Sequence, residues 1–538
     1  MEMHFATIWE SIADVIGDRA AVVCGDTRRT WHDWDERSAR LAETFRCAGL
    51  GPNSKVGLYL YNSIEYCETQ FAAFKGRGVP ININYRYLDD ELCYLLENSD
   101  SEALVFHTSL ADRVARVMPR LPDMKLWLEV DDGGKSVPGA LAYEDVIAAN
   151  PAAERIERSE DDLYMLYTGG TTGMPKGVMY NMGGITQSFI TSAFPALGLQ
   201  PPANAEEIAP LIETAAEAGR IVTSIPACPM MHGTGGWVGT MMPHCAGATV
   251  VALSERSFDA HELWRVAERE QAGELVIVGD AFAKPMIRAL EEARDRGEPY
   301  DVSSVKLIVS SGVMWTSEVK RALLEWGDFL LYDAMGSSEG TMGLQLTGRG
   351  NIGETAKFTA SDTTKVFTED GRPVQPGSGE PGLVAAGGNV PIGYYKDETK
   401  SAATFKTIGG VRYSFPGDWA IVEADGSLTL LGRGSNCINT AGEKVYPEEV
   451  EEAVKQHPDV IDCLVVGVDD EKFGQRVTAV ASVSTGTSAN AAALRQFTRE
   501  KLAAYKVPKQ IIVVDQVQRA ANGKADYTWA REVVERST

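Results

Sequence analysis

The sequence predicts an α/β protein: a large amino-terminal domain of helix-covered, mostly parallel sheets and a small, mobile α+β domain at the carboxyl end. Three observations carry this reading. Short apolar runs recur through the middle of the chain: RIVTSIPACP (220–229), ATVVAL (248–253), ELVIVGD (274–280), VKLIVSSG (305–312) and FLLYDAMG (329–336). Each is strand-length and nearly continuous, as strands covered on both faces are. Between them lie helical stretches such as FDAHELWRVAEREQAG and SEVKRALLEWG, which parallel strands need as crossovers. Past GRGSN (432–436), where two glycines flank an arginine, the texture changes and a unit of about a hundred residues begins. We therefore divide the chain at 1–432 and 433–538.

The elements of the tail follow in order. PEEVEEAVKQH (447–457) starts with proline at the first helical position and acids in the first turn, both suited to a helix N-terminus. VIDCLVVGV and RVTAVASVS read as strands, and AAALRQFTREKLAAYKVP as an amphipathic helix stopped by Pro508. In the large domain, ANAEEIAPLIETAAEAG (203–219) reads as an amphipathic surface helix and an insertion beside a substrate tunnel.

A chain of 538 residues, 44% hydrophobic and 23% charged, has ample core for two domains. Its formal charge of −24 argues against a nucleic-acid partner, which needs a basic face. Eight scattered cysteines with no CxxC pair suggest reduced thiols and a cytoplasmic protein. The acidic amino-terminal stretch does not resemble a signal peptide, and no 18-residue apolar run predicts a membrane span.

Chemistry is concentrated in DLYMLYTGGTTGMPKGVMY (162–180), where a buried strand runs into four glycines, three threonines and Lys176. Glycines let backbone N–H groups converge on an anion, and threonine hydroxyls add donors without charge. Phosphate is the natural guest. The order is not that of a Walker A loop, since Lys176 precedes Gly177 and no hydroxyl follows.

Read whole, YTGGTTGMPKGV resembles the phosphate loop of the adenylate-forming superfamily, which comprises acyl-CoA synthetases, carrier-protein adenylation domains and luciferases. The resemblance spans residues 5 to 530 or so and implies ATP contacts from Thr168, Gly169, Gly170, Thr171, Thr172, Gly173 and Lys176. MGSSEG (335–340) is similar to the family's GxTE element, which implies that Ser338 contacts the α-phosphate and Glu339 binds Mg²⁺. Met335 and Gly336 fall in the adenine site, Met335 where the family has a stacking tyrosine. SSGVMW (310–315), with Ser311 and Gly312, lines the same site. SFPGDWA resembles the TGD motif, so Asp418 takes the ribose hydroxyls, with the arginine of LGRG, Arg433, beside it. NGKADY resembles the closing motif, whose lysine, Lys524, bridges carboxylate and phosphate.

By the same resemblance Ser435 is the hinge, where relatives carry Asp or Lys, and INTAGEKVYPEEVE supplies a CoA face at Gly442, Glu443 and Lys444. PACPMMHGTGGWVGTMMPHCAG (226–247) falls where relatives wall the acyl pocket. His232 matches the gate residue, Trp237 lines the tunnel, and Gly235, Gly236 and Gly239 leave space in it. Ordinary core packing of Met231, Trp237, Met241 and Met242 is the competing reading. VGDAF places Gly279 on the same pocket.

The resemblance implies an AMP-forming acyl-CoA synthetase using ATP, Mg²⁺ and CoA, most like bacterial ligases of bulky, steroid side-chain or medium- to long-chain fatty acids. A carrier protein supplied in trans, a luciferase-like oxygenase and a non-catalytic acyl-adenylate sensor are the alternatives. Relatives are often homodimers.

Overall fold

The computed structural model describes residues 2–170, 173–440, 443–470, 474–487, 489–520 and 523–537. All five apolar runs form strands: Thr223–Pro226, Thr249–Ala252, Glu274–Ile277, Leu307–Ser311 and Leu330–Ser337. They lie parallel in one sheet, with Ala20–Cys24 at its outer side and Leu330–Ser337 at the other. Helices Ala260–Arg269, Gly279–Asp295 and Ser317–Leu324 bury their apolar faces between and against these strands. Beyond Leu330–Ser337 the sheet turns antiparallel through Gly340–Thr347 and Lys357–Ala360 to Asp418–Val422 and Leu428–Arg433.

A second, all-parallel sheet is built from Lys55–Tyr59, Val79–Asn82, Ser101–His107, Leu126–Val130 and Leu141–Ala142. The glycine-rich stretch forms neither sheet. Its described residues lie at the ends of two antiparallel strands that form a hairpin, Leu163–Gly170 and Gly173–Asn181, to which Gly393–Tyr394 adds a third strand.

The amino-terminal core is aromatic. Trp9, Trp31 and Trp34 are fully buried with Phe5, Phe71 and Phe74. His244 packs on Trp34 at 4.4 Å between ring centroids, and burial pushes its pKa down to about 3, so it is a neutral core residue. The acidic stretch 203–219 contains the amphipathic helix expected of it. Its helix, Ile208–Glu217, packs on the amino-terminal helix Phe5–Ile16, burying Ile208, Ile212 and Ala215, because its apolar stripe completes that core.

The carboxyl-terminal elements make their own five-stranded sheet, with Val460–Asp470 beside Gly474–Val483 and helices Pro447–Lys455, Ala491–Arg499 and Tyr527–Arg536. One boundary differs from expectation. The helix expected to run to Pro508 ends at Arg499, and residues 501–506 turn so that Lys506 Nζ reaches Glu449 at the head of helix Pro447–Lys455 while Val507 is buried. Tertiary contacts outweigh helix propensity there.

One buried ion pair braces the strand that leads into the site. Lys320 Nζ lies 2.7 Å from Asp333 Oδ2 and 2.6 Å from Gln345 Oε1. Burial pushes the Asp333 carboxyl up to about 6, and Lys320 holds it from rising further. Lys320→Ala strands that carboxylate without its counter-charge, which costs about 3–5 kcal/mol. Denaturant unfolding read by the fluorescence of Trp315, whose ring centroid is 5.3 Å from Lys320 Nζ, should show a lower midpoint; an unchanged midpoint contradicts the role.

Candidate active site

The site lies where the hairpin, the end of the main sheet and the small domain meet. In the hairpin, Thr168 stands opposite Lys176 and Gly170 opposite Gly173, so the two strands hold the ends of the turn together. Gly177 is dictated by packing: a Cβ there would come within 2.6 Å of Met165 Sδ. Thr171 and Thr172 lie outside the described residues. Lys176 is half-buried, its Nζ 5.8 Å from the centroid of the Tyr394 ring.

Leu330–Ser337 delivers Gly336 and then the turn at Ser338 and Glu339. Ser338 Oγ donates to Glu339 Oε2 at 3.1 Å, and Glu339 N donates to Ser337 Oγ. The opposite oxygen, Oε1, accepts from the Tyr394 hydroxyl at 2.8 Å, and the Ser338 carbonyl accepts from Tyr180 at 2.9 Å. Met335 is buried with Met342, Phe358 and Val384, so its side chain belongs to the core of the antiparallel layer.

Asp418 and Arg433 face each other because the strands Asp418–Val422 and Leu428–Arg433 pair in that register. Arg433 Nε is 3.4 Å from Asp418 Oδ1, while Asp418 Oδ2 is buried with no hydrogen-bond partner among the described residues. A buried acceptor left open suits a donor supplied by a ligand. Burial pushes the Asp418 carboxyl up, against the pull of Arg433, and Asp418 in turn raises Arg433.

Lys524 comes from the small domain and meets this group. Its backbone is tied in place: Ala520 N donates to Lys524 O and Gly523 N to Ala520 O, and the neighbouring Arg519 grips Asp462 with two bonds of 2.6 and 2.7 Å. Gly523 has φ +72° and lies against Ala281 and Val278 of the large domain. The next residue thereby enters the site: Lys524 Cε is 3.9 Å from where a Cβ on Gly312 would be, and Thr234 Oγ1 is 3.7 Å from the same point. Its side chain is exposed to solvent yet surrounded by protein on most sides. Burial lowers its pKa and Arg433 adds to that, while Glu339 and Asp418 oppose.

His232 is on the same side, near the charges of Lys524 and Arg86. Burial first, and those cations second, lower it to about 3, so the imidazole is neutral. The glycines after it do not open a tunnel, contrary to the reading of the sequence. A Cβ on Gly235 would lie 2.3 Å from Pro229 O, on Gly236 2.4 Å from Met230 O, and on Gly239 2.6 Å from Pro226 Cβ. They are small so that the π-helical segment Thr234–Met241 can press on the end of strand Thr223–Pro226. Trp237 is half-buried, edge-on to Tyr180 and Phe189, with Nε1 donating to Tyr164 at 2.6 Å. The void beside it measures about 10 Å³. Gly279 is buried against the 313–314 backbone, where a Cβ would lie 2.5 Å from Met314 O, and its N donates to Ser310 Oγ.

Between the domains runs a cleft of about 510 Å³ whose walls carry six cations, Arg86, Arg256, Lys284, Arg288, Lys455 and Arg519, and three carboxylates, Glu255, Asp280 and Asp462. Sequence reasoning missed these, since they are scattered over both domains. It also missed Tyr180 and Tyr394, although Tyr394 follows a glycine in a marked turn, GYY. Gly442 and the side chains of Ser435, Glu443 and Lys444 lie outside the described residues. The backbone of the linker shows Gly434–Asn436 as a single turn, with Gly434 pressed on the Trp419 ring.

With this geometry in place, comparison with known proteins is informative. Residues 9–395 match the family described as AMP-binding enzyme, and residues 449–524 its carboxyl-terminal domain. The chain is 41% identical to a 3-oxocholest-4-en-26-oate–CoA ligase of Rhodococcus rhodochrous, covering 99% of this chain and 96% of the relative. It is equally identical to a medium/long-chain-fatty-acid–CoA/3-oxocholest-4-en-26-oate–CoA ligase of Mycobacterium marinum, over 99% and 97%. The fold matches the crystal structure of the anthranilate–CoA ligase AuaEII in complex with anthranoyl-AMP, with TM-score 0.86 and 21% identity over 100% and 98% of the chains. The chain belongs to the AMP-binding enzyme family.

One contact ties the linker to a titratable group of the small domain: Arg433 N donates to Glu448 Oε1 at 3.4 Å. Glu448, at the head of helix Pro447–Lys455, reaches the linker, where a Cβ on Gly432 would lie 2.2 Å from its Oε2. Burial pushes its pKa up to about 7, Asp418 adds to this and Arg433 opposes. A raised carboxyl pKa means that the protonated form favours this arrangement, so the contribution is complete below about pH 4.5 and is lost as pH rises through 7. Proteolytic nicking of the 432–447 linker in wild type, taken relative to Glu448→Gln at the same pH, should rise severalfold between pH 6 and pH 8. A ratio independent of pH contradicts this.

Proposed function

We propose that the protein is an ATP-dependent acyl-CoA synthetase: it joins a carboxylic acid to AMP with release of pyrophosphate, then transfers the acyl group to CoA with release of AMP. The observation that supports this most is the entry of Lys524, from the small domain, into the space bounded by Gly312, Thr234, Glu339 and the Asp418–Arg433 pair.

A carboxylate and a triphosphate repel, by about 4 kcal/mol for two unit charges 4 Å apart at an effective dielectric of 20. The proposed roles divide that problem. The hairpin turn and Lys176 hold the β- and γ-phosphates. Asp418 accepts both ribose hydroxyls through the oxygen that now lacks a partner. Ser338 and Arg433 face the α-phosphate, and Lys524 bridges the carboxylate and that phosphate, drawing the attacking oxygen in line with the departing pyrophosphate. Glu339 offers hard oxygen ligands of the kind Mg²⁺ prefers, and the bound ion would neutralise triphosphate charge. The neutral His232 borders the carboxylate without adding charge.

For the second step we infer that the small domain turns about 433–436, withdrawing Lys524 and admitting the thiol. The cation-lined cleft suits the phosphates of CoA at its mouth. The names of the relatives support a bulky apolar acid, a steroid side-chain acid or a medium- to long-chain fatty acid. Because the void beside Trp237 is small, such a tail enters that region only if the indole turns. The reading places the enzyme in the cytoplasm, with its substrates; among the described residues no helix is long and apolar enough to cross a membrane.

Lys524→Ala should slow acid-dependent ATP/pyrophosphate exchange by about 10²–10³-fold, yet leave thioester formation from supplied acyl-adenylate within a few-fold. Equal loss in both assays contradicts the division of roles. The same exchange assay, run over steroid, fatty and aromatic acids, should respond most to the first two. No response to any acid points to a nucleotide-binding sensor.

A further inference from the structure

Tyr394 touches both halves of the phosphate-handling apparatus. Its hydroxyl donates to Glu339 Oε1 at 2.8 Å, and its ring lies beneath Lys176 Nζ at 5.8 Å. The register explains how. Tyr394 stands opposite Val178 in the three-stranded sheet, and side chains two apart on a strand share a face, so Lys176, Val178, Tyr180 and Tyr394 all point the same way. That face looks onto the turn at Ser338 and Glu339, where Tyr180 holds the Ser338 carbonyl at 2.9 Å. Two phenols from neighbouring strands of the three-stranded sheet therefore grip one turn of the main sheet.

Among the described residues each Glu339 oxygen has one protein donor, Tyr394 on Oε1 and Ser338 on Oε2. A carboxylate oxygen carries two lone pairs, so both retain one for a cation while the group is held in a single rotamer. Partners of this kind orient a ligand, and their loss typically lowers metal affinity by about 10–100-fold. The ring itself is buried and packs on Phe405 at 5.2 Å between centroids, so a phenylalanine would keep the packing and remove only the hydroxyl.

We propose that Tyr394 is a positioning residue for the metal: its hydroxyl sets the Glu339 carboxylate for Mg²⁺, and its ring ties that carboxylate to Lys176, so metal ligand and phosphate-binding lysine hold one spacing. The inference rests on Glu339 being the metal ligand, as in the function proposed above. Calorimetric titration of the full-length protein with Mg²⁺ and α,β-methylene-ATP tests it. Tyr394→Phe should weaken apparent Mg²⁺ affinity about tenfold or more, change binding of the metal-free nucleotide less than about twofold, and recover most of kcat when Mg²⁺ is raised to saturation. The matched control is Tyr395→Phe, whose hydroxyl bonds Asp100 instead and whose loss should leave Mg²⁺ affinity unchanged.

Unchanged Mg²⁺ affinity in Tyr394→Phe, or equal losses with and without the metal, overturns the proposal. Glu339→Gln separates the two levels of the argument. If it retains wild-type Mg²⁺ affinity, the metal reading of Glu339 fails and the inference fails with it. If it loses that affinity while Tyr394→Phe does not, the tyrosine alone is excluded.

Discussion

Two negatively charged reactants have to come into contact, and the arrangement of this protein follows from where it stores the positive charge that permits this. No single element supplies it. Lys176 comes from a hairpin, Arg433 from the far end of a long mixed sheet, and Lys524 from a separate domain whose lysine-bearing turn is pressed onto Val278 and Ala281. In the proposed function, placing one of the three on a domain that turns lets the charge be present for one reaction and absent for the next. Burial, with Arg433, weakens the hold of Lys524 on its proton, and Glu339 and Asp418 oppose that.

The supports of these groups are conventional physical devices. Cross-strand register sets Arg433 opposite Asp418, a bidentate Arg519–Asp462 pair stiffens the turn before Lys524, and the Lys320–Asp333 pair braces the strand that carries Gly336 to Glu339. Small residues act as contact surfaces. Gly235, Gly236 and Gly239 let a π-helical segment approach a strand end closely, and Gly434 lets the linker lie on Trp419. Glycine in a suspected pocket wall thus signalled close packing, not free volume.

Much of this was readable beforehand. The five central strands are nearly continuous apolar runs, a pattern that depends only on burial of both faces, and their limits fell within a few residues of expectation. The chemistry-bearing side chains stand in short, ordered motifs, so their identity was visible although their convergence was not. What escaped was determined by distant contacts. The helix ending at Arg499 is cut short by the reach of Lys506 to Glu449, the 203–219 helix docks on a helix two hundred residues away, and the cations of the interdomain cleft come from segments with no common pattern. Tyr394 lay in a short strand whose partner is fixed only by the folded sheet. Met335 is the reverse case: a position marked by its motif, whose side chain is claimed by the core.

The central claim is that these charges serve direct attack of a carboxylate oxygen on the α-phosphorus. The fate of that oxygen tests it with no reference to any single residue. A substrate acid carrying ¹⁸O in both carboxyl positions, turned over with ATP and CoA, should leave one labelled oxygen in the AMP and none in the pyrophosphate. Label in inorganic phosphate or pyrophosphate, or AMP free of label after complete turnover, would contradict the account.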